Sequence, residues 1–362
     1  MAAHFHQLRV NDVRRETAAC ISIAFEVPPL LQKEFAFTQG QNITIKANIE
    51  GEEIRRSYSI CSSPLEAELR IAIKKVPGGK FSTWAHQTIA KGSLLSVLPP
   101  AGRFYTDLEA GSAKHYMAFA AGSGITPILS IIKTTLALEA GSHFTLFYGN
   151  KNRAGIIFRE ALEAIKNRFL SRFSIHHILS REKTDNPFVQ GRIDTEKCAY
   201  IFRHLQRIDS CDAFFLCGPA GMIFTVQDFL KKNGVPANKI HSELFTAPGG
   251  LNPAASALYS TPVAAELEKS SRVTIQQDGI SFDFDLGFHG PSILNAALSQ
   301  GADLPFACKG GVCATCRAKL VKGEVVMDNN YALEPEEVAK GYILTCQSHP
   351  RTEAVSINFD QR

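Results

Sequence analysis

Four of the nine cysteines fall in the last quarter of the 362-residue chain. They read Cys308-Lys-Gly-Gly-Val-Cys313-Ala-Thr-Cys316 and then, 29 intervening residues later, Cys346. C-x4-C-x2-C with a distant fourth thiolate is the spacing of a plant-type two-iron two-sulfur (2Fe-2S) cluster, in which a compact loop wraps one side and Cys346 closes the other. Gly310 and Gly311 let backbone N–H groups turn inward to the sulfurs, where they tune the potential. Zinc is the alternative, since four thiolates also suit a tetrahedral ion. Zinc ribbons usually pair two short C-x2-C knuckles, however, and three ligands crowded into one loop with an x4 gap favour iron and sulfur. The other five, Cys20, Cys61, Cys198, Cys211 and Cys217, read as small buried hydrophobes, with Cys217 the exception.

Five further stretches carry ligand chemistry. Arg56-Ser57-Tyr58-Ser59 lies in a strand-like run whose alternation puts Arg56 and Tyr58 on one face, a cation and an aromatic plane for one ligand. A core aromatic and a solvated strand charge are the plainer alternatives. Pro77-Gly78-Gly79-Lys80-Phe81-Ser82-Thr83 reads as a Gly-rich turn leading into a helix start capped by hydroxyl residues, suited to holding a pyrophosphate on backbone N–H groups. Gly122-Ser-Gly124-Ile-Thr126-Pro127 follows a strand pattern and opens a helix, the context of a dinucleotide pyrophosphate loop, although Pro127 replaces the last Rossmann glycine and a tight βα turn would read the same. Cys217-Gly218-Pro219 also stands between strand and helix. A third strand of this region ends Leu179-Ser180-Arg181, offering a hydroxyl and a guanidinium where an NAD enzyme places a carboxylate on the ribose. That favours NADPH, although the neighbouring Glu182 weighs against a phosphate, and Arg192 is a second candidate cation. Hydrolytic motifs (G-x-S-x-G, H-E-x-x-H, paired carboxylates) do not occur, and His176 and His177 point to opposite faces of one strand.

The elements that must position these residues follow from length and pattern. At ~150 residues per domain the chain holds two or three units, and 45% hydrophobic with 20% charged residues is an ordinary globular composition. Residues 1–110 alternate short apolar runs with Gly and Pro, which predicts an antiparallel β-barrel. Residues 111–245 alternate apolar strands with helix-length segments, which predicts an α/β unit with a parallel sheet. Residues 246–269, rich in Ala, Pro, Gly and Ser, read as a linker. Residues 270–362 predict an α+β, β-grasp-like unit with a hairpin at Asp278-Gly279, a helix over Ser292–Ser299, the cysteine loop, and late strands near Ile343 and Val355.

The first twenty residues have no apolar run of a secretory signal, and the longest uncharged stretches are broken by Gly, Ser, Thr and Pro. A cytoplasmic protein without a membrane span is expected. Residues 1–245 carry 30 Lys and Arg against 22 Asp and Glu, and residues 270–362 carry 8 against 11. The basic residues are dispersed and not interleaved with aromatics, so nucleic acid is not an expected partner.

R-x-Y-S, then the Gly-Gly turn, then Pro99-Pro-Ala-Gly102-Arg103-Phe104 resemble the flavin domain of the ferredoxin–NADP reductase superfamily, which also pairs G-x-G-x-x-P with C-G-P. That resemblance implies that Arg56 meets the flavin phosphates, Tyr58 stacks on the isoalloxazine, and Ser59 lies near its reactive N5. It also implies that Gly79, Phe81, Ser82 and Thr83 hold the pyrophosphate. The phosphate contact of Arg56 suits FAD or FMN, and the Gly78-Gly79 turn, which fits a pyrophosphate, favours FAD. Gly122, Gly124, Thr126 and Pro127 would hold the nicotinamide dinucleotide, with Cys217, Gly218 and Pro219 near its ring and Phe245 against the flavin. The order of the units, with Leu304–Cys316, Met327–Pro335 and Gly341–Gln347, resembles the reductase components of bacterial multicomponent oxygenases, and within them the phenylacetyl-CoA epoxidase reductase family. The implied activity is electron transfer from NADPH through FAD and the 2Fe-2S cluster to an oxygenase component. Reductases of Rieske-type or steroid hydroxylases share the same order, and a non-catalytic redox sensor is a reading from another class.

Overall fold

The computed structural model describes residues 4–246 and 269–361, apart from 184, 185 and 187. The described residues fall into two compact units, His6–Phe245 and one that holds residues 269–361. The expected linker therefore lies almost wholly outside the described residues.

The first unit opens with β1 (His6–Thr17), β2 (Cys20–Glu26), β3 (Asn42–Ile49), β4 (Glu52–Ser59), β5 (Leu69–Lys74), α1 (Lys80–Thr88) and β6 (Leu94–Val97). The strands pair in the order β4-β3-β6-β1-β2-β5, every pairing antiparallel, and a bridge from Ile60 to Ile71 joins the two ends into a barrel. Leu8, Val10, Ile23, Ile43, Ile45, Ile71 and Val97 point inward and are buried. Closure removes the strand edges that would otherwise invite pairing with another chain.

The same unit continues with β7 (His115–Ala121), α2 (Ile125–Leu138), β8 (His143–Asn150), α3 (Arg159–Arg168), β9 (Phe173–Leu179), α4 (Thr195–His204), β10 (Ala213–Gly218), α5 (Ala220–Lys232) and β11 (Ile240–Leu244). These strands form a parallel sheet in the order β11-β10-β7-β8-β9. β7 and β10 are buried through most of their length, as parallel strands covered on both faces require. Strand order reverses between β7 and β10, and the crevice beyond the strand ends at such a switch is where α/β sheets bind ligands. The barrel and sheet share a core: Cys20, Cys61, Ala72 and Phe104 of the barrel pack with Phe215 and Ile131 of the sheet layer. Ser130 Oγ donates to the Ser62 carbonyl at 2.6 Å, and the Ser63 and Thr134 hydroxyls pair at 2.9 Å.

The second unit holds β12 (Ser270–Gln277), β13 (Ile280–Gly287), α6 (Ile293–Ser299), β14 (Arg317–Lys322), β15 (Val325–Met327), α7 (Pro335–Ala339), β16 (Tyr342–Leu344), β17 (Ser348–Pro350) and β18 (Ala354–Asn358). The mixed sheet runs β13-β12-β18-β14-β16, with β15 and β17 paired beside it. The hairpin turns at Asp278-Gly279 as the sequence predicts, both residues at positive φ. Ser292 is the cap of α6, its hydroxyl accepting from the Asn295 N–H at 3.4 Å. Among the described residues no helix is long and apolar enough to cross a membrane.

Candidate functional site

On β4 the side chains alternate as expected. Arg56 is exposed and donates through Nη1 to its neighbour's carbonyl at 2.8 Å, while Tyr58 is half-buried on the same face. The Tyr58 ring packs at a tilt on Phe81 (centroids 5.7 Å apart), and Phe81 packs on Trp84 at 5.4 Å. Burial holds the Tyr58 phenol well above its ordinary pKa, so the ring is a neutral platform. Ser57 points the other way, its hydroxyl 2.9 Å from that of Thr44.

The Gly-rich turn is built differently from expectation. Gly79 is the N-cap of α1 and no hydroxyl caps the helix. The Ser82 hydroxyl instead accepts from the Val76 N–H at 3.1 Å and donates back to the Gly79 carbonyl at 3.3 Å. Gly78 sits at φ +71°, and a Cβ on Gly79 would stand 2.7 Å from Ser82 Oγ. The Phe81 ring is buried in the barrel core. What the turn offers an anion is backbone: the N–H groups of Lys80, Phe81 and Ser82 have no acceptor within their helix. Thr83 closes the first turn, donating its N–H to the Gly79 carbonyl at 3.0 Å.

The two loops at the switch point meet directly. A Cβ on Gly124 would lie 2.0 Å from the Cys217 carbonyl oxygen and 2.8 Å from the Gly218 nitrogen, so glycine is required there by backbone contact. Gly122, at φ +54°, leaves room for Lys74: a Cβ on it would stand 3.0 Å from Lys74 Nζ. Thr126 donates to the Ser123 carbonyl at 3.0 Å, and Pro127 is buried in the first turn of α2, where its missing N–H costs nothing. These two shape the loop with their side chains turned into it. Gly218 and Pro219 lead into α5, with Pro219 as its N-cap.

Cys217 is fully buried and burial pushes its thiol far up, so it stays protonated and cannot serve as an ionised nucleophile. Its partner in the β10–β11 register is Glu243. Glu243 Oε2 accepts from the Ser59 hydroxyl at 2.9 Å, joining the end of β4 to the end of β11. Phe245 lies one residue past β11 and is 40% exposed. The structure thus brings Ser59, Cys217 and Glu243 together at one edge. Sequence reading missed Glu243, a carboxylate one register step from C-G-P. It also missed Lys74, which ends β5, is half-buried and makes no ion pair among the described residues; burial holds its ammonium pKa below the ordinary value.

Ser180 and Arg181 are exposed beyond β9, their N–H groups bonded to the carbonyls of Asn150 (2.9 Å) and Lys151 (2.8 Å). Glu182, which weighs against a phosphate, turns back to accept from the Arg153 N–H at 2.7 Å. Lys151 and Arg153 are exposed on the neighbouring loop.

In the second unit Cys316 and Cys346 are buried in the core and Cys308 and Cys313 are partly exposed. The thiols form a chain of neighbours, Cys313 to Cys308 to Cys346 to Cys316. Gly310 N–H donates to Cys308 Sγ at 3.3 Å, and Gly311 N–H to the Cys346 sulfur. Such N–H···S bonds are what a thiolate-bound cluster needs. Lys309 and Ala314 take positive φ to make this loop, at 51° and 53°. Thr345 binds the Cys316 carbonyl with both its N–H (3.2 Å) and its hydroxyl (2.9 Å), fastening the loop to the return of the chain.

Fold and site together define a modular flavin, nicotinamide and iron–sulfur oxidoreductase. Residues 7–105 match the oxidoreductase FAD-binding domain family, 119–228 the oxidoreductase NAD-binding domain family, and 273–351 the 2Fe-2S iron-sulfur cluster binding domain family. The chain is 44% identical to a subunit of the 1,2-phenylacetyl-CoA epoxidase of Escherichia coli (strain K12), over 99% of this chain and 98% of that protein. It is 32% identical to the ferredoxin reductase component of the Rhodococcus rhodochrous 3-ketosteroid-9-alpha-monooxygenase, over 97% and 96%. The crystal structure of phthalate dioxygenase reductase shares the fold, with a TM-score of 0.58 at 23% identity over 98% of both chains. The chain belongs to the family of oxygenase reductase components that includes this phenylacetyl-CoA epoxidase subunit, and it is an NAD(P)H-dependent oxidoreductase.

Proposed function

We propose that the protein is the cytoplasmic reductase of a phenylacetyl-CoA epoxidase, carrying electrons from NADPH to the oxygenase component. The observation that carries the choice of acceptor is near full-length identity of 44% to a subunit of that enzyme, against 32% to a steroid monooxygenase reductase. In this reading residues 1–110 hold FAD, 111–245 hold NADPH and 270–362 hold the cluster. Bound FAD would supply the conversion from a two-electron donor to a one-electron acceptor. Every remaining task falls to the chain. Tyr58 gives the flavin ring a neutral face, Arg56 and the N–H groups opening α1 neutralise its phosphates, and the Ser59 hydroxyl, oriented by Glu243, stands at the reacting edge. Phe245 would lie against the flavin, and Cys217 and the Gly122–Gly124 loop would hold the nicotinamide dinucleotide. Lys74 faces the dinucleotide phosphates, and Cys308, Cys313, Cys316 and Cys346 ligate the cluster. Reconstitution with purified oxygenase components tests the acceptor: epoxidation of phenylacetyl-CoA supports the reading, and turnover only with a steroid or Rieske-type oxygenase rejects it.

Two smaller predictions belong here. NADPH is expected to be the better donor, because Ser180 and Arg181 stand free at the end of β9 while Glu182 is turned toward Arg153. Arg181→Ala should then cost about 10- to 100-fold in kcat/KM for NADPH, the worth of a charge-assisted hydrogen bond, and leave NADH little changed. Equal losses with both nucleotides would contradict the assignment. Lys74→Met should raise KM for either nucleotide by about 10-fold with kcat nearly unchanged, and it should weaken the salt dependence of KM. Steady-state kinetics at two ionic strengths reads both effects.

A further inference from the structure

Gln347 follows the fourth cluster ligand directly and is 7% exposed. Its side-chain amide spans three pieces of chain. Nε2 donates to the Lys309 carbonyl and the Cys346 carbonyl, each at 3.0 Å, and lies 3.7 Å from Cys346 Sγ, within reach of an N–H···S bond. Oε1 accepts from Asn329 Nδ2 at 3.1 Å. The Asn329 segment is itself tied to the cysteine loop: Tyr331 donates its N–H to the Gly311 carbonyl at 3.0 Å and its hydroxyl to Asn329 Oδ1 at 3.3 Å. Gly311, at φ +74°, runs so close that a Cβ there would stand 2.8 Å from the Asn329 carbonyl and 3.2 Å from Gln347 Cγ. The main chain of Gln347 is held as well, donating to the Leu344 carbonyl and accepting from Asp328 N–H, both at 2.9 Å.

We propose that Gln347 is a positioning residue for electron transfer: its amide locks the loop of the first three ligands to Cys346 and directs an N–H at the Cys346 sulfur. An amide carries two N–H protons. One is committed to Lys309, on the loop, and the other is shared between the carbonyl and the sulfur of Cys346. A donor aimed at a ligand sulfur favours the more negative, reduced cluster and so raises its potential. Fixing two ligand-bearing segments to each other slows loss of the metal. A leucine of similar length would keep the packing and lose all four bonds. A glutamate would keep the shape, lose the donor and place a negative charge beside the thiolate.

The proposal rests on the assignment of the four cysteines to a 2Fe-2S cluster, and the test separates the two. Full-length wild type, Gln347→Leu and Gln347→Glu are compared by iron and acid-labile sulfide content, by midpoint potential in an EPR-monitored titration, and by the rate of cluster loss to a chelator. Wild type is expected to hold iron and sulfide in equal amounts. Gln347→Leu should lower the midpoint potential and lose its cluster about 10-fold faster, and Gln347→Glu should lower the potential further. The isosteric Gln347→Glu chain reports the potential even where Gln347→Leu assembles poorly. Wild type without iron and sulfide would overturn the cluster assignment itself. A normal wild-type cluster, with potential and loss rate unchanged in both variants, would overturn the role given to Gln347.

Discussion

Cys313→Ser protein is expected to accept electrons from NADPH at its flavin at the wild-type rate and to deliver them to a one-electron protein acceptor about 100-fold more slowly or not at all. Cys313 is the middle ligand of the short loop, is a neighbour of Cys308, and belongs to the second compact unit. The residues proposed to hold flavin and nicotinamide all belong to the first. Losing one thiolate of four removes the charge and geometry that hold the cluster, and thiolate sites of this kind contribute directly to the folding of their small units. Serine offers a poorer ligand oxygen in the same place, and Cys313→Ala removes even that. Stopped-flow reduction of the flavin, with iron analysis and reduction of the protein acceptor, reads the separation. Unchanged delivery from Cys313→Ala protein would remove the cluster from the electron path.

Gly124→Ala is the second change with a large expected effect. The added methyl would stand 2.0 Å from the Cys217 carbonyl oxygen, and both partners are backbone, so no side chain can swing away. Separating the two loops costs about 2 to 3 kcal/mol by the usual scale of overpacking. It also displaces the residues proposed to orient the nicotinamide, so kcat/KM for NADPH should fall about 100-fold, since small misplacements are costly at a reacting centre. Gly221→Ala is the matched control: a Cβ there meets nothing within 4 Å, and alanine suits α5 better than glycine. Thermal unfolding and NADPH kinetics on the pair should show a destabilised, slow Gly124→Ala protein beside a Gly221→Ala protein like wild type. Equal behaviour would mean that the loops are not in contact.

Much of the site was legible because its signals are local. The strands of residues 1–110 pair antiparallel and those of residues 111–245 parallel, as the apolar patterns predict, and β5, β7 and β9 are short apolar runs of that kind. The cluster loop and the glycine turns announce themselves by spacing. Long-range pairing is what local pattern cannot carry. The barrel order β4-β3-β6-β1-β2-β5 sets the N-terminal strand between β6 and β2, a non-local choice made by register and burial. Glu243 and Lys74 were missed for the same reason: only the β10–β11 register sets the carboxylate opposite Cys217, and only the approach of barrel to sheet brings the ammonium to Gly122. Ser82 shows a different failure. Its position two residues into the helix suggested a cap, but the nearest unpaired donor was the Val76 N–H in the preceding turn, and the hydroxyl serves that. The C-terminal unit was only half read, because β14, β15 and β17 are short and only partly apolar. Their pairing, not their sequence, brings Gln347 back to the cysteine loop.

Electrons are expected to run from the nicotinamide nucleotide through flavin to cluster within one chain. An anaerobic titration with NADPH, followed by visible spectroscopy, tests this path most directly. The flavin and iron–sulfur bands should both bleach, and NADH should reach the same end point less readily. Bleaching of the flavin bands alone would mean that the four cysteines hold zinc or an isolated centre, and that no electron passes from flavin to cluster.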